Sequence, residues 1–429
     1  MRGATGTARP AALPTLESVC ARHPELPGLA ALLDPARRAA VLAPIVGDAP
    51  MEVARLRLKP GTSVSLALRP ATRSASGAAA GSADADGTAA RGWWRVRAFA
   101  PEPFAPKAAK ERVAAESHRL PVLVDEDLRI VVSPAETDRD LRGLAWLRPD
   151  SGCLVAVKGR ARTVHTLSYN PDRRWVGVAR DPHCRPRSVL RLHEGDRRMH
   201  VEPWAAGRPW GVGDEGLLPA LRDAVAAGLA TRPGRRQGGI ATGDADARND
   251  WDARNDRDAR LDGIAADDGD ARPFETTHLA PAARFLACLD EGWGARADRV
   301  VRAIGPRLAT LGRAPAHGDL SPDQVVVGED GAVHVLDWDR AGCWPVGWDA
   351  ATWAAGSTLF LPAAPADLTA PATPAAPAAP DAPLTDQAPH PAVAAAAALL
   401  YTPDPFRRQL PDWAAATERL LARAEEALS

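Results

Sequence analysis

His317-Gly318-Asp319-Leu320-Ser321-Pro322-Asp323-Gln324-Val325-Val326-Val327, followed after a turn by Val333-His334-Val335-Leu336-Asp337-Trp338-Asp339, is the stretch on which the reading of this chain depends. Its parts come in a fixed order: a carboxylate, an amide five positions on, a β-branched run, a turn from Gly328 to Gly331, a second apolar run and a second carboxylate. β-Branched residues fit a pleated, half-buried surface, so the two runs predict a strand pair closed by a short turn. Pairing the strands would fix the separation of the polar groups at their ends.

Transfer of a phosphoryl group needs a divalent cation to neutralise charge and a group to accept the proton of the attacking hydroxyl. In this reading Asp319 orients the hydroxyl and takes its proton, while Gln324 and Asp337 present oxygens to Mg²⁺. Plainer roles stand beside these. Asp319 alone is a turn cap, Gln324 alone a surface amide and Asp337 alone a strand-end turn residue, and only the three in sequence argue for chemistry. Asp339 is either a second ligand or a solvent-facing carboxylate, His317 a packed side chain of the loop, and Trp338 a core residue.

HGDLSPDQVVV and VHVLDWD resemble the catalytic loop and metal-binding strand end of aminoglycoside phosphotransferases, choline kinases and, more distantly, protein kinases, and the spacing from Asp319 to Asp337 is the one those families use. WDAATWAA, with Asp349, is similar to the stretch that follows the metal aspartate there, where an aspartate supports the catalytic loop. The resemblance implies an α+β, two-lobed protein-kinase-like fold, with a β-rich N-terminal lobe and a mainly helical C-terminal lobe. It also implies an ATP-dependent phosphotransferase that uses ATP and Mg²⁺ and acts on a hydroxyl of a small molecule. The alternative is a pseudokinase that binds nucleotide or a partner without transfer.

Two departures accompany the resemblance. Gln324 stands where these families usually carry Asn, which lengthens the reach by about 1.5 Å, one C–C bond. The strand lysine that holds the donor phosphates, paired with a helix glutamate, is missing. Arg97 or Arg95 occupies the third strand of one unit and Arg191 that of another, with Glu111 or Glu116 on the following helix as partner to the first. Arginine binds phosphate as a planar fork and is not equivalent to lysine. Lys158, in VAVK, has strand residues directly after it and no room for the helix. No glycine-rich loop exists, and Pro60 to Ser63 and Asn170 to Arg174 are the turns able to approach phosphates.

Outward from this core, residues 1–50 read as a helical lead-in, 51–203 as the β-rich lobe and 204–429 as the helical catalytic lobe. Val53 to Leu58, a Pro60-Gly61 turn and Ser63 to Leu68 predict a hairpin, with Trp93 to Phe99 a third strand after the polar stretch Pro70 to Gly92. Lys107 to Ser117 predicts a helix, and Pro121 to Ser133 another strand pair. Thr163 to Tyr169, Asn170-Pro171-Asp172, Trp175 to Ala179 and Ser188 to His193 repeat the strand–turn–strand–strand pattern, as an internal duplication would. Glu215 to Ala230 opens the helical lobe after a hinge-like AAGRPWGVG, and Pro411 to Leu428 closes it. Residues 231–271, with three imperfect DARNDx hexamers, read as a disordered insertion, and 361–391 as an extended Ala/Pro linker.

The formal charge of −1, from 53 basic and 54 acidic residues, creates no field favouring nucleic acid or an anionic membrane. No run reaches the roughly 20 apolar residues of a membrane span, and Ala392 to Leu400 falls short. The N-terminus has no apolar signal core, so the expectation is a cytoplasmic protein. The five cysteines form no metal-like pair. Only four of the basic residues are lysines, Lys59, Lys107, Lys110 and Lys158, which restricts any site that needs one. Neither the acceptor, nor ATP against GTP, nor an oligomeric state is written in these patterns.

Overall fold

Three strands rich in apolar and β-branched residues pair as an antiparallel meander, β1 (Met51–Lys59), β2 (Ser63–Pro70) and β3 (Trp94–Phe99). The computed structural model describes residues 12–71, 92–141, 143–144, 163–181, 183–195, 200–231, 279–360 and 388–429. The Asp-rich hexamers, Lys158, almost all of the Pro70 to Gly92 stretch and most of 361–391 lie outside them.

The chain divides into two compact units, the first Met1–Trp204 with Asp404–Ala414, the second Ala205–Pro403 with Ala415–Ser429. In the first, three short helices, α1 (Leu16–Ala21), α2 (Leu29–Leu33) and α3 (Pro35–Val46), precede the meander. Helix α4 (Pro101–Ser117) follows β3, starting earlier than Lys107 because Pro101 and Pro103 fall in a first turn whose N–H groups need no helical partner. Strands β4 (Leu123–Asp125) and β5 (Ile130–Pro134) complete a sheet of order β1-β2-β3-β5-β4. A second meander, β6 (Thr163–Asn170), β7 (Arg174–Arg180), β8 (Pro186–His193) and β9 (His200–Pro203), forms a sheet in chain order. Each meander turns at a proline, Pro60 or Pro171, and each has an irregularity in its first strand, at Val53/Arg55 and Thr166/Ser168. Ala67 of the first sheet and Trp93, the residue before β3, share a core with Tyr169, Trp175, Leu190 and Leu192 of the second. Within this unit, α10 (Asp404–Arg407) meets β1 through Asp404 and Arg55, 3.4 Å apart.

The second unit is mainly helical. It contains α5 (Leu218–Thr231), α6 (Ala280–Leu289), α7 (Glu291–Ala309), α8 (Trp348–Phe360), α9 (Pro391–Tyr401) and most of α11 (Trp413–Glu426). Asp290 caps α7 by accepting the Trp293 N–H at 2.9 Å, and Trp293, Ala297, Val300, Ile304 and Leu308 make its buried stripe. Helix α9 is buried on nearly every side, so its alanine run serves as a core helix. Among the described residues no helix is long and apolar enough to cross a membrane. Two small sheets hold the motif: β11 (Arg313–Ala316) pairs with β14 (Gly342–Pro345), and β10 (Arg208–Pro209), β12 (Val325–Val327) and β13 (Val333–Val335) form the other. The architecture is α+β, with a β-rich unit and a mainly helical one.

Candidate functional site

The β12–β13 hairpin forms in the register Val325↔Val335 to Val327↔Val333, so Gln324 and Leu336 flank its open end. The Leu336 N–H donates to the Gln324 carbonyl at 2.8 Å. The Leu336 carbonyl in turn accepts from His317 Nε2 at 2.7 Å, while His317 Nδ1 accepts the Asp319 N–H at 3.4 Å, which together select the Nε2–H tautomer. One residue of β-strand exit is thus gripped by both other parts of the motif, and Asp337 is the next residue along. His317 is fully buried with its ring against Trp338 at 4.7 Å, as its packing role requires, whereas Trp338 is only half-buried and does not join the core.

Asp337 adopts a left-handed conformation, φ 58° and ψ 55°, and starts a 3₁₀ turn from Trp338 to Arg340. For a non-glycine residue this region is disfavoured, and such strain is held only where the surroundings dictate it. Here the flanking bonds, Leu336 to Gln324 and Trp338 Nε1 to the Val335 carbonyl at 2.9 Å, do so.

The Asp319 loop is held from α8. Asp349 accepts the His317 N–H at 2.7 Å and the Gly318 N–H at 2.9 Å, one on each carboxylate oxygen. Burial pushes the Asp349 carboxyl up, only partly offset by those two N–H donors. Trp348 Nε1 donates to the Gly318 carbonyl at 3.0 Å and its ring stacks on Trp344 at 4.7 Å. Gly318 has φ 87°, and a Cβ there would collide with the Arg340 carbonyl and the Trp344 indole nitrogen. Asp319 itself is 31% exposed; its Oδ1 accepts from the Tyr401 hydroxyl at 3.3 Å and its Oδ2 lies 3.5 Å from Arg340 Nη1. Neither Tyr401 nor Arg340 carries a sequence signal: Tyr401 lies on a helix separated from the motif by the Ala/Pro-rich stretch, and Arg340 is one of many arginines.

In the first unit, Arg95 and Arg97 point to the same face of β3, two residues apart, and Glu111 of α4 reaches both. Arg95 Nη2 lies 2.5 Å from Glu111 Oε2, and Arg97 Nη2 bonds Glu111 Oε1. All three side chains are buried, whereas Glu116 is exposed, so Glu111 is the partner. Burial pushes the Glu111 carboxyl up, but Arg95, Arg97 and Arg139 outweigh it and hold the group below its usual range. Arg95 also meets Asp138 at 2.9 Å and Asp172 at 3.0 Å, and Arg97 meets Asp172 at 3.5 Å. Asp138, Asp140 and Asp172 bring carboxylate oxygens within 4.8 Å of one another. The Asp138 oxygens, however, are engaged by Arg95, the Tyr169 hydroxyl and the Asp172 N–H. Arg191 lies on β8 of the other sheet, buried, 3.4 Å from Glu202.

No family model matches this chain, and no curated protein matches it. Solved structures similar to it include a choline kinase from Cryptosporidium parvum, 9% identical, covering 62% of this chain and 88% of that one with a TM-score of 0.36. An ethanolamine kinase from Plasmodium vivax is 9% identical over 74% of this chain and 94% of its own, with a TM-score of 0.39. A thermostable mutant of the aminoglycoside phosphotransferase APH(4)-Ia, in ternary complex with AMP-PNP and hygromycin B, is 14% identical over 64% and 96%, with a TM-score of 0.37.

Proposed function

We propose that this chain is an ATP-dependent phosphotransferase that transfers the γ-phosphate to a hydroxyl of a small molecule in the cytoplasm. The observation that carries the reading is the double grip on Leu336, whose N–H bonds the Gln324 carbonyl and whose carbonyl bonds the His317 ring, with Asp337 next in the chain and Asp319 two residues from His317.

The donor set suits a hard divalent cation. Gln324 offers an amide oxygen and Asp337 a carboxylate, and Mg²⁺ is commonly held by one or two carboxylates together with substrate phosphates and water. When bound, Mg²⁺ would neutralise charge on the phosphates. Asp319 holds the acceptor hydroxyl and takes its proton as the new O–P bond forms; the bond from the γ-phosphorus to the bridging oxygen breaks, and its electron pair leaves with ADP. Asp349 supports this by holding the loop backbone at His317 and Gly318, so Asp319 need not be ordered at the moment of reaction. On this reading Arg97, paired with Glu111, serves the donor phosphates in place of lysine, and Arg191 is the counterpart on the second meander.

Asp319→Ala is expected to lower turnover of the full chain by roughly 10² to 10⁴ with its thermal midpoint retained. Measuring ATP consumption across a panel of hydroxyl acceptors checks this, and unchanged activity in the variant defeats the assignment.

One observation favours a second reading, a pseudokinase: Arg95 and Arg97 are already engaged by Glu111, Asp138 and Asp172. Mg²⁺-dependent ATP binding without turnover supports that reading, while turnover lost on Asp337→Ala supports the enzyme.

A further inference from the structure

Arg38 lies on α3 and is only 8% exposed. Its Nη1 donates to the Leu32 carbonyl at 2.7 Å and to the Leu33 carbonyl at 3.4 Å, at the end of α2. Among the described residues these are its hydrogen bonds, and it forms no ion pair. Asp34, whose charge acts on it from the start of the same helix, is occupied as the N-cap, accepting the Arg37 N–H at 2.8 Å. The two carbonyls satisfy one nitrogen but do not neutralise the charge. A guanidinium taken out of water is stabilised by a carboxylate partner, and here the protein supplies none in contact.

The side chain lines a pocket of about 350 Å³, within the roughly 300–1,000 Å³ of small-molecule sites. Arg38 and Leu42, one helical turn apart and both buried, form its inner lining. Ala39 and Ala43, exposed on the same helix, line it too, and their short side chains leave the space open. The loop from Gly47 to Met51 lines the remainder. Gly47, at φ 72°, turns the chain out of α3, and its N–H closes onto the Ala43 carbonyl at 3.0 Å. The Arg38 Nε and Nη2 have no protein acceptor, and neither is sealed from solvent, so both are open to this pocket.

The lining selects a class of ligand. Parallel N–H groups on one edge of a guanidinium match the two oxygens of a carboxylate. No lysine lines the pocket, and exposed Asp48 does, so a second negative charge on the ligand would meet a carboxylate instead of a cation. Leu42, Met51 and the two alanines suit an aliphatic body. We propose that this pocket binds a small aliphatic monocarboxylate, held through its carboxylate by Arg38 with its chain against Leu42 and Met51. The site belongs to the first unit and is read without reference to phosphoryl transfer.

The test titrates the full chain with 4-methylpentanoate, followed by ligand-observed proton NMR. Saturable binding is expected, with Kd of about 1 mM or tighter. The uncharged 4-methylpentanamide, and Arg38→Met with the acid, should each bind about tenfold weaker or worse. Arg38→Met also removes the hydrogen bonds to α2 and can fail to fold. Ala39→Leu is therefore the second variant: it fills the pocket from an exposed helix position, leaves Arg38 on its two carbonyls, and should abolish binding. Absence of saturable binding by the parent up to about 10 mM overturns the proposal. So does amide binding equal to the acid's, or undiminished affinity in folded Ala39→Leu. Tighter binding of 4-methylpentyl phosphate than of the carboxylate overturns the ligand class.

Discussion

Asp319 meets Tyr401 through Oδ1 and Arg340 through Oδ2, while its backbone is held by His317 and, one residue earlier, by Asp349. Tyr401 is buried, its ring edge-on to Phe360 at 6.3 Å, so its hydroxyl is delivered by a packed side chain with little freedom left to lose. A single such hydrogen bond is worth about 0.5–1.5 kcal/mol net, up to roughly tenfold in rate if it acts in the transition state. Tyr401→Phe is therefore expected to lower kcat by a few-fold to tenfold, with KM for MgATP unchanged and the thermal midpoint close to the parent's. Steady-state kinetics against ATP checks it, and a rise in KM alone would assign Tyr401 to binding.

At the scale of elements, β3 and α4 are joined by charge as much as by packing. Phe99, Phe104, Ala108 and Val131 form the apolar part of that contact, and Glu111 bridges the two arginines beside it. Taking three charged side chains out of water is unfavourable unless each is matched, and removing one partner leaves the others buried and uncompensated. Glu111→Ala should cost roughly 3–5 kcal/mol, read as a lower urea midpoint, while exposed Glu116→Ala on the same helix should move it by less than about 0.5 kcal/mol. Equal effects of the two would show that the bridge contributes nothing beyond helix propensity.

For the whole molecule, the carboxylates of the first unit tie stability to pH. Burial pushes the Asp172 carboxyl up, but Arg97, Arg95, Arg57 and Lys59 pull it down to about 2 from 3.8, and Glu111 is also held low. A carboxyl whose folded value lies below its unfolded one binds more protons when unfolded. Its stabilisation is complete above the unfolded value and is lost as pH falls through the folded one. Asp140 works in the opposite sense, pushed up by desolvation and by Asp172 and Asp138, so acid relieves it. Asp172 dominates this balance, contributing about 2 kcal/mol at neutral pH that disappears between pH 4 and 2. Circular dichroism melts should show the midpoint of the parent protein falling steeply over that window and that of Asp172→Asn falling less. A parallel fall in both would remove Asp172 from the account.

The polar motif and the strands around it were legible because local rules produce them. β-Branched valines favour the pleated pair of β12 and β13, proline opens both meander turns, and Asp319, Gln324 and Asp337 lie close enough along the chain for one hairpin and its entry loop to gather their backbones. Asp349 was also readable, because it lies one loop beyond the same hairpin. Tyr401, Arg340 and the reach of Asp172 into the β3 arginines were not, because each joins residues whose neighbours in sequence predict nothing about their neighbours in space. Tyr401 and Asp319 are separated by α8 and the Ala/Pro-rich stretch, and Asp172 meets Arg95 only because two sheets share a core around Tyr169, Trp175 and Trp93. Local backbone preference determined the first group; burial of charge against charge, which exists only once the sheets and helices have packed, decided the second.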